Sequence, residues 1–247
     1  MYILSIETTG RYGSAALIDS CGRISSKNSH EEMNHLKDIM LLADECLKAE
    51  GIGTNSIDAV AASIGPGSFT GIRIGVSTAR GIAEMLNIPC ISISSLEGMA
   101  ALADTHVGEE VRFFATIINA RRGQLYGALF ERDGARYNAV LSERQYMIDE
   151  FLEELNKIYS EDKQIIFVGD GIDAYEDKIR EAGLYRLADE EWRYQDASSV
   201  AELALQKYRS NNTITYDDLL PNYMRKSEAE MRLESGTLSS KIGKLRW

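Results

Sequence analysis

Several short stretches of this 247-residue chain carry residue types able to hold or move charge. The densest is Gly65-Pro66-Gly67-Ser68-Phe69-Thr70-Gly71. Its glycines let a ligand approach the backbone closely, and Ser68 or Thr70 can cap a following helix whose free N–H groups attract an anion. That describes a phosphate cradle, but equally a tight strand-to-helix turn at a packed contact, which spacing alone slightly favours. The stretch has neither the Lys-Ser/Thr pair of a Walker A loop nor a G-x-G-x-x-G spacing. Glu7-Thr8-Thr9 sets an acid and two hydroxyls at the end of the first apolar run, suited to holding a metal or a phosphate, or to a turn closed by its own hydroxyls. Gly169-Asp170-Gly171 repeats the glycine-and-acid theme, and Arg121-Arg122 lies in a turn where Arg121 can grip a carboxylate or phosphate in bidentate fashion or simply be solvated.

Other chemistry is poorly supplied. There is no H-E-x-x-H and no G-x-S-x-G, and the histidines are His30, His35 and His106 alone. Cys21, Cys46 and Cys90 lack CxxC spacing and are expected to be reduced, buried thiols. His35 reads as a capping or interface residue, with no recognisable nucleophile beside it.

The elements that must position these residues follow from periodicity. Strands are expected over Tyr2 to Ile6, Ser14 to Ile18 and Arg23 to Ser26, with Gly22 in the second turn. Leu36, Ile39, Met40, Ala43, Cys46 and Leu47 recur at helical spacing, and Gly51 ends that helix. Asp58 to Ile64 reads as a buried strand delivering the glycine-rich loop. A helix follows with Ile72, Val76, Ala79, Ala83 and Leu86 on one face, then a strand over Cys90 to Ile93 and a helix capped by Ser94 or Ser95. A second block repeats the outline: strand Phe113 to Ile118, a hairpin around Asp133-Gly134, an amphipathic helix from Ile148 to Tyr159, strand Gln164 to Val168 and helix Asp173 to Ala182. A last helix, Ser198 to Arg209, is expected to be capped by Ser198 or Ser199. The pattern predicts a duplicated α/β unit of two lobes with a cleft between them. The boundaries are residues 1–104 and 105–195 for the lobes, 196–225 for a helix and segment packing back on them, and 226–247 for a tail.

With 27 Lys+Arg against 38 Asp+Glu, the net charge is −11, which argues against autonomous binding of nucleic acid. The charge is uneven: residues 226–247 carry +2, leaving −13 on the rest, so the tail reads as a frayed terminus or as a basic arm. No apolar run approaches the length of a membrane helix and the N-terminus has no leader pattern, so a cytoplasmic protein with no membrane contact is expected.

Taken together, ILSIETT, GSAAL, MNHLKDIM, IDAVAASIGPGSFTGIRIGVSTARGIA, NARRGQLYGALF and PNYMRKSEAE resemble the TsaB (YeaZ) family of the bacterial threonylcarbamoyladenosine machinery. The resemblance implies an α/β ASKHA fold, that of actin, hexokinase and Hsp70, in two lobes each with a mixed sheet and flanking helices. It also implies a part in placing threonylcarbamoyl on N6 of adenosine in tRNAs that read codons beginning with A. In that fold an Asp commonly stands where this chain has Glu7, and Thr8, Thr9, Gly65, Gly67, Ser68, Thr70, Gly169 and Gly171 occupy the phosphate-loop positions.

The paralogous TsaD transferase carries a metal-ligating His-Leu-Glu-Gly-His; here the run is Ser95-Leu96-Glu97-Gly98-Met99, so Ser95 and Met99 replace both ligands. The resemblance therefore implies a non-catalytic subunit with no catalytic residues, no metal and no cofactor, weak nucleotide binding at a subunit interface aside. Its implied partners are a TsaD-type transferase, a TsaE-type ATPase, tRNA through the complex, and a second copy of itself when the transferase is absent. The implied interface comprises His35, Leu36, Ile39, Met40, Gly71, Arg73, Gly75, Val76 and Ala79, the small residues permitting close helix approach. The same smallness would also serve packing inside the lobe. Arg121 and Arg122 are the implied tRNA contacts. The rival readings are an independent ATP-dependent phosphotransferase using Glu7, the Gly65 and Gly169 loops and Mg²⁺, and a glycopeptidase-like hydrolase.

Overall fold

A computed structural model describes residues 1–31, 35–158, 164–183 and 185–224. The side chains of His35 and Leu36, and the whole tail expected as a basic arm, lie outside the described residues. The chain runs β1 (Tyr2–Glu7), β2 (Ser14–Asp19), β3 (Ile24–Asn28), α1 (His35–Ala49), a 3-10 turn at Thr54–Ser56, β4 (Ala59–Ser63), α2 (Phe69–Leu86), β5 (Cys90–Ile93) and α3 (Ser95–Asp104). It continues through β6 (Phe113–Arg121), β7 (Gln124–Asp133), β8 (Arg136–Met147), α4 (Ile148–Ile158), β9 (Ile165–Val168), α5 (Gly171–Ala182), β10 (Arg186–Leu187) and α6 (Ala197–Arg209).

The two five-stranded sheets have the orders β3-β2-β1-β4-β5 and β8-β7-β6-β9-β10, the same order once each is renumbered from its own first strand. In both, a hairpin-connected antiparallel half is joined to a parallel half reached by helical crossovers. The expected duplication and the two-lobe ASKHA architecture are thus present.

The first sheet is buried on both faces, which is why β4 reads as an uninterrupted apolar run rather than an alternation. Leu4, Ile6, Val60 and Ala62 point to a core closed by α1 and α2, while Ile3, Ala59 and Ala61 point to a core closed by α6. Helix α3 packs elsewhere: Leu96, Met99, Ala100 and Ala103 belong to the second lobe's core, and Ala101 meets the α6 layer. The crossing between lobes therefore falls near Ser94. The cap of α6 is Asp196 rather than Ser198 or Ser199, its side chain accepting from Ser198 N at 2.8 Å.

Candidate functional site

Parallel strands present their carboxyl ends together, and in open α/β sheets that edge is where ligands are held. In the first lobe the edge brings Glu7 (end of β1), Ser63 (end of β4) and Ser95 (just past β5) into one cluster. Glu7 is 1% exposed. Its Oε1 accepts from Thr9 N and from Thr9 Oγ1, the latter at 2.6 Å, and its Oε2 accepts from Ser63 Oγ. Ser95 Oγ, 2.8 Å from Thr9 Oγ1, completes the line by donating to it, since the single Thr9 hydroxyl proton is already given to Glu7. Burial pushes the Glu7 carboxyl above its ordinary range, against the pull of the Ser63 and Thr9 hydrogen bonds. Both carboxylate oxygens are engaged within the chain. Met99 lies in the second lobe's core, so Ser95 and Met99 turn to different surroundings. Among the described residues no group of three or more His, Cys, Asp or Glu side chains comes together.

The glycine-rich loop is filled by its own chain. Ser68 caps α2, its Oγ accepting from Gly71 N at 3.2 Å, and Ser68 N donates to the Thr9 carbonyl at 2.8 Å. Thr8 Oγ1 donates to the Gly71 carbonyl at 2.7 Å. A side chain on Gly67 or Gly71 would collide with the Thr9 or Thr8 carbonyl, and one on Gly65 would meet the Asn222 carbonyl at 2.8 Å. Gly169 and Gly171 are likewise pressed on Ile117. Thr70 is exposed on the first turn of α2. These glycines are required by close packing of loop on strand, which is sufficient reason for them.

Between the lobes lies a cleft of about 610 Å³ lined by Thr9, Gly67, Ser68, Asn119, Arg121 and Asp170 among others. Asp170 accepts from Asn119 N at 3.0 Å, and burial pushes its carboxyl up to about 6. Asp173, also on the cleft wall, accepts from Arg193 at 2.9 Å and from the Tyr194 hydroxyl at 3.0 Å. Arg121 and Arg122 sit at the β6–β7 hairpin tip with φ of 65° and 56°, a conformation costly for arginine and closed by Asn119 Oδ1 accepting from Arg121 N at 2.8 Å.

The expected partner surface needs correction. Ile39, Gly71, Gly75, Val76 and Ala79 are buried inside their own lobe. A side chain on Gly75 would run into Thr8 Oγ1, so the small residues of this face let α2 approach β1. Met40 remains exposed at 54%, and Arg73 is exposed while its guanidinium lies 3.9 Å from the Phe69 ring centre and donates to the Tyr223 hydroxyl at 2.8 Å. The opposite face of α2 offers Ser77, Gly81 and Met85 (70% exposed), and α1 exposes Leu41 (62%). The sequence reading passed over Gly81 and Met85, although they follow from turning the same helical wheel half a turn. It also missed Ser63, whose place beside Glu7 comes from the parallel register of β1 and β4. Of the three cysteines expected to be buried, Cys46 and Cys90 are, but Cys21 is exposed in the β2–β3 turn.

Comparison with known proteins gives these features a family. The family model described as "TsaD: tRNA N6-adenosine threonylcarbamoyltransferase" matches residues 26–233. The chain is 31% identical to the tRNA threonylcarbamoyladenosine biosynthesis protein TsaB of Escherichia coli (strain K12), over 94% of this chain and 98% of that protein. It is 28% identical to TsaB of Bacillus subtilis (strain 168), over 94% and 97%. Among solved structures, YeaZ from Pseudomonas aeruginosa superposes with a TM-score of 0.77 at 22% identity, covering 90% of this chain and 99% of that one. A chain with this fold, matched across nearly its whole length to such relatives, belongs to the TsaB (YeaZ) family of tRNA threonylcarbamoyladenosine biosynthesis proteins.

Proposed function

We propose that this protein is a non-catalytic subunit of the threonylcarbamoyladenosine machinery, which pairs with a TsaD-type transferase and leaves the chemistry to it. The observation that carries the reading is the engagement of the Glu7–Thr9–Ser95 line: the acid that would hold a metal has both oxygens bound within the chain, and the hydroxyl of Ser95 is bound to Thr9. An independent phosphotransferase would need Glu7 and the glycine loops free for Mg²⁺ and phosphate, and both are occupied by neighbouring residues.

Pairing is assigned to the outward faces of α1 and α2. Met40, Leu41 and Met85 expose apolar surface on adjacent helices, and Gly81 has open space where a side chain would be, an arrangement that suits close approach of a partner helix. The same face would join two copies of this chain when the transferase is absent. Through the transferase the chain would work with a TsaE-type ATPase and with tRNA, in the cytoplasm, and without a cofactor of its own beyond weak nucleotide binding at a subunit interface. Among the described residues no helix is long and apolar enough to cross a membrane. Direct contact with tRNA, if any residue of this chain makes it, is assigned to Arg121 and Arg122 at the hairpin tip.

The test is to supply threonylcarbamoyl-adenylate and tRNA to the purified chain, to a TsaD-type protein with its ATPase, and to all together. Product is expected only with the transferase present and more of it with this chain added. Product from this chain alone would overturn the reading.

A further inference from the structure

A second cavity, of about 630 Å³, lies among β2, β3, the end of α3 and the segment leading into α6. Gln195 lines it and also packs against Gly10, which belongs to the wall of the interlobe cleft, so this one side chain stands between the two cavities. Gln195 is 7% exposed, and neither its Nε2 nor its Oε1 has a hydrogen-bond partner among the described residues. Folded proteins rarely leave a buried amide so, because an apolar side chain of the same shape would avoid the loss of its bonds to water.

What would satisfy it is restricted by its chemistry. A carboxamide presents one acceptor and one donor edge side by side, so a full partner must offer a donor and an acceptor in the same plane. Phosphate offers only acceptors, and an ammonium or guanidinium only donors. A nucleobase edge offers both, the pairing by which glutamine reads adenine. The walls agree: Tyr12, Tyr194 and Trp192 surround the space, with Trp192 stacked on His106 at 5.0 Å and 8°, and aromatic walls favour a flat ring. The charge agrees too. Among the described residues lining the cavity none is Lys or Arg, although Arg11 reaches the Tyr194 hydroxyl at 3.3 Å, and the exposed Glu190 and Glu191 stand along it, a lining that disfavours phosphate.

We infer that this cavity binds an uncharged nucleobase or nucleoside, with the Gln195 amide reading its donor–acceptor edge. The Gln195 amide rests against Gly10, so meeting an occupant takes a step of χ1 or χ2 to another staggered rotamer, after which the soft last torsion lets the amide choose which edge it presents. The proposal is independent of whether the chain is catalytic.

The full chain is titrated with adenosine, guanosine, cytidine and AMP, following the side-chain amide resonance of Gln195 and the melting temperature. At least one nucleoside is expected to shift that resonance saturably and raise the melting temperature. Gln195→Leu should abolish both responses while melting at or above the wild-type temperature, because it removes an unsatisfied amide. AMP should bind about tenfold more weakly than adenosine, and Glu190→Gln with Glu191→Gln should narrow that gap. Nucleoside binding that survives Gln195→Leu, AMP binding as tightly as adenosine, or no nucleoside moving the wild-type Gln195 resonance would each overturn the inference. The last measurement decides the matter even if Gln195→Leu fails to fold.

Discussion

The side of Gly75 that would carry a side chain faces Thr8, whereas the same side of Gly81, six residues along the same helix, faces open space. Two glycines of one helix therefore do different jobs. Replacing Gly75 by Leu is expected to destabilise the isolated chain by about 1–3 kcal/mol or more through overpacking against β1, read as a lowered melting temperature. Gly81→Leu should keep the isolated chain folded and weaken pairing with the transferase, measured by calorimetry. Equal loss of fold in both variants would refute this division. Asp170 supports a prediction in pH. Its carboxyl is held at about 6 against an ordinary 3.8, so the folded state keeps the proton more readily than the unfolded chain. The stability this lends is present below about pH 4 and is lost as pH rises through about 6. Asp170→Asn can keep the acceptor for Asn119 N and has no charge to bury. It should melt higher than wild type at pH 7.5, by the equivalent of about 1–3 kcal/mol, with the difference closing toward pH 4.

At the scale of elements, α3 packs mainly in the second lobe's core and is tied to the first lobe by Ala101 in the α6 layer, by Ser95 N donating to the Gly65 carbonyl at 3.1 Å and by side-chain hydrogen bonds. The Ser95–Thr9 hydrogen bond joins residues 86 apart in sequence, and Glu7 passes the linkage to Ser63 at the end of β4. Thr9→Val is expected to cost about 1–3 kcal/mol, because it strips Glu7 and Ser95 of a buried partner, and Ser95→Ala only about 0.5–1.5 kcal/mol, because Thr9 keeps its bond to Glu7. The double variant should cost less than the sum, since the partner that one change orphans is removed by the other. Strict additivity in urea melts would show that the line is not one unit. Most elements were legible from periodicity: β5 lies where expected, α2 begins at Phe69, ahead of the expected Ile72, and α4 begins at Ile148 as expected, its expected last residue Tyr159 lying outside the described residues. The two-residue β10 was not, because so short a parallel strand carries no period and is defined by its pairing to β9. The α6 cap moved to Asp196 because three acceptors, Asp196, Ser198 and Ser199, crowd that turn and only geometry chooses among them.

For the whole molecule, the repeated sheet order makes two similar lobes whose strand ends face one cleft, yet most polar groups at that edge are bonded within their own lobe. The outer surface carries the proposed pairing. Leu41→Asp and Met85→Asp should leave the melting temperature nearly unchanged, given exposures of 62% and 70%, while weakening pairing with the transferase by about tenfold or more, as loss of a central apolar contact does. Unaltered pairing would move the interface elsewhere. An acidic body is compatible with a tRNA pathway when a partner supplies the phosphate contacts.

By itself the sequence determined the two-lobe α/β class, the family, the strand-to-helix role of the Gly65–Gly71 loop and the replacement of both expected metal ligands by Ser95 and Met99. These rest on local signals: periodicity, caps and a contiguous motif. Tertiary structure decided which face of α2 is inside, that Glu7 is spent on Ser63 and Thr9, and that the buried Gln195 amide has no hydrogen-bond partner among the described residues. The reason is physical. A 3.6-residue period shows that a helix has two faces but not which strand one of them meets, and hydrogen bonds between residues far apart in the chain exist only once the sheet has set their register.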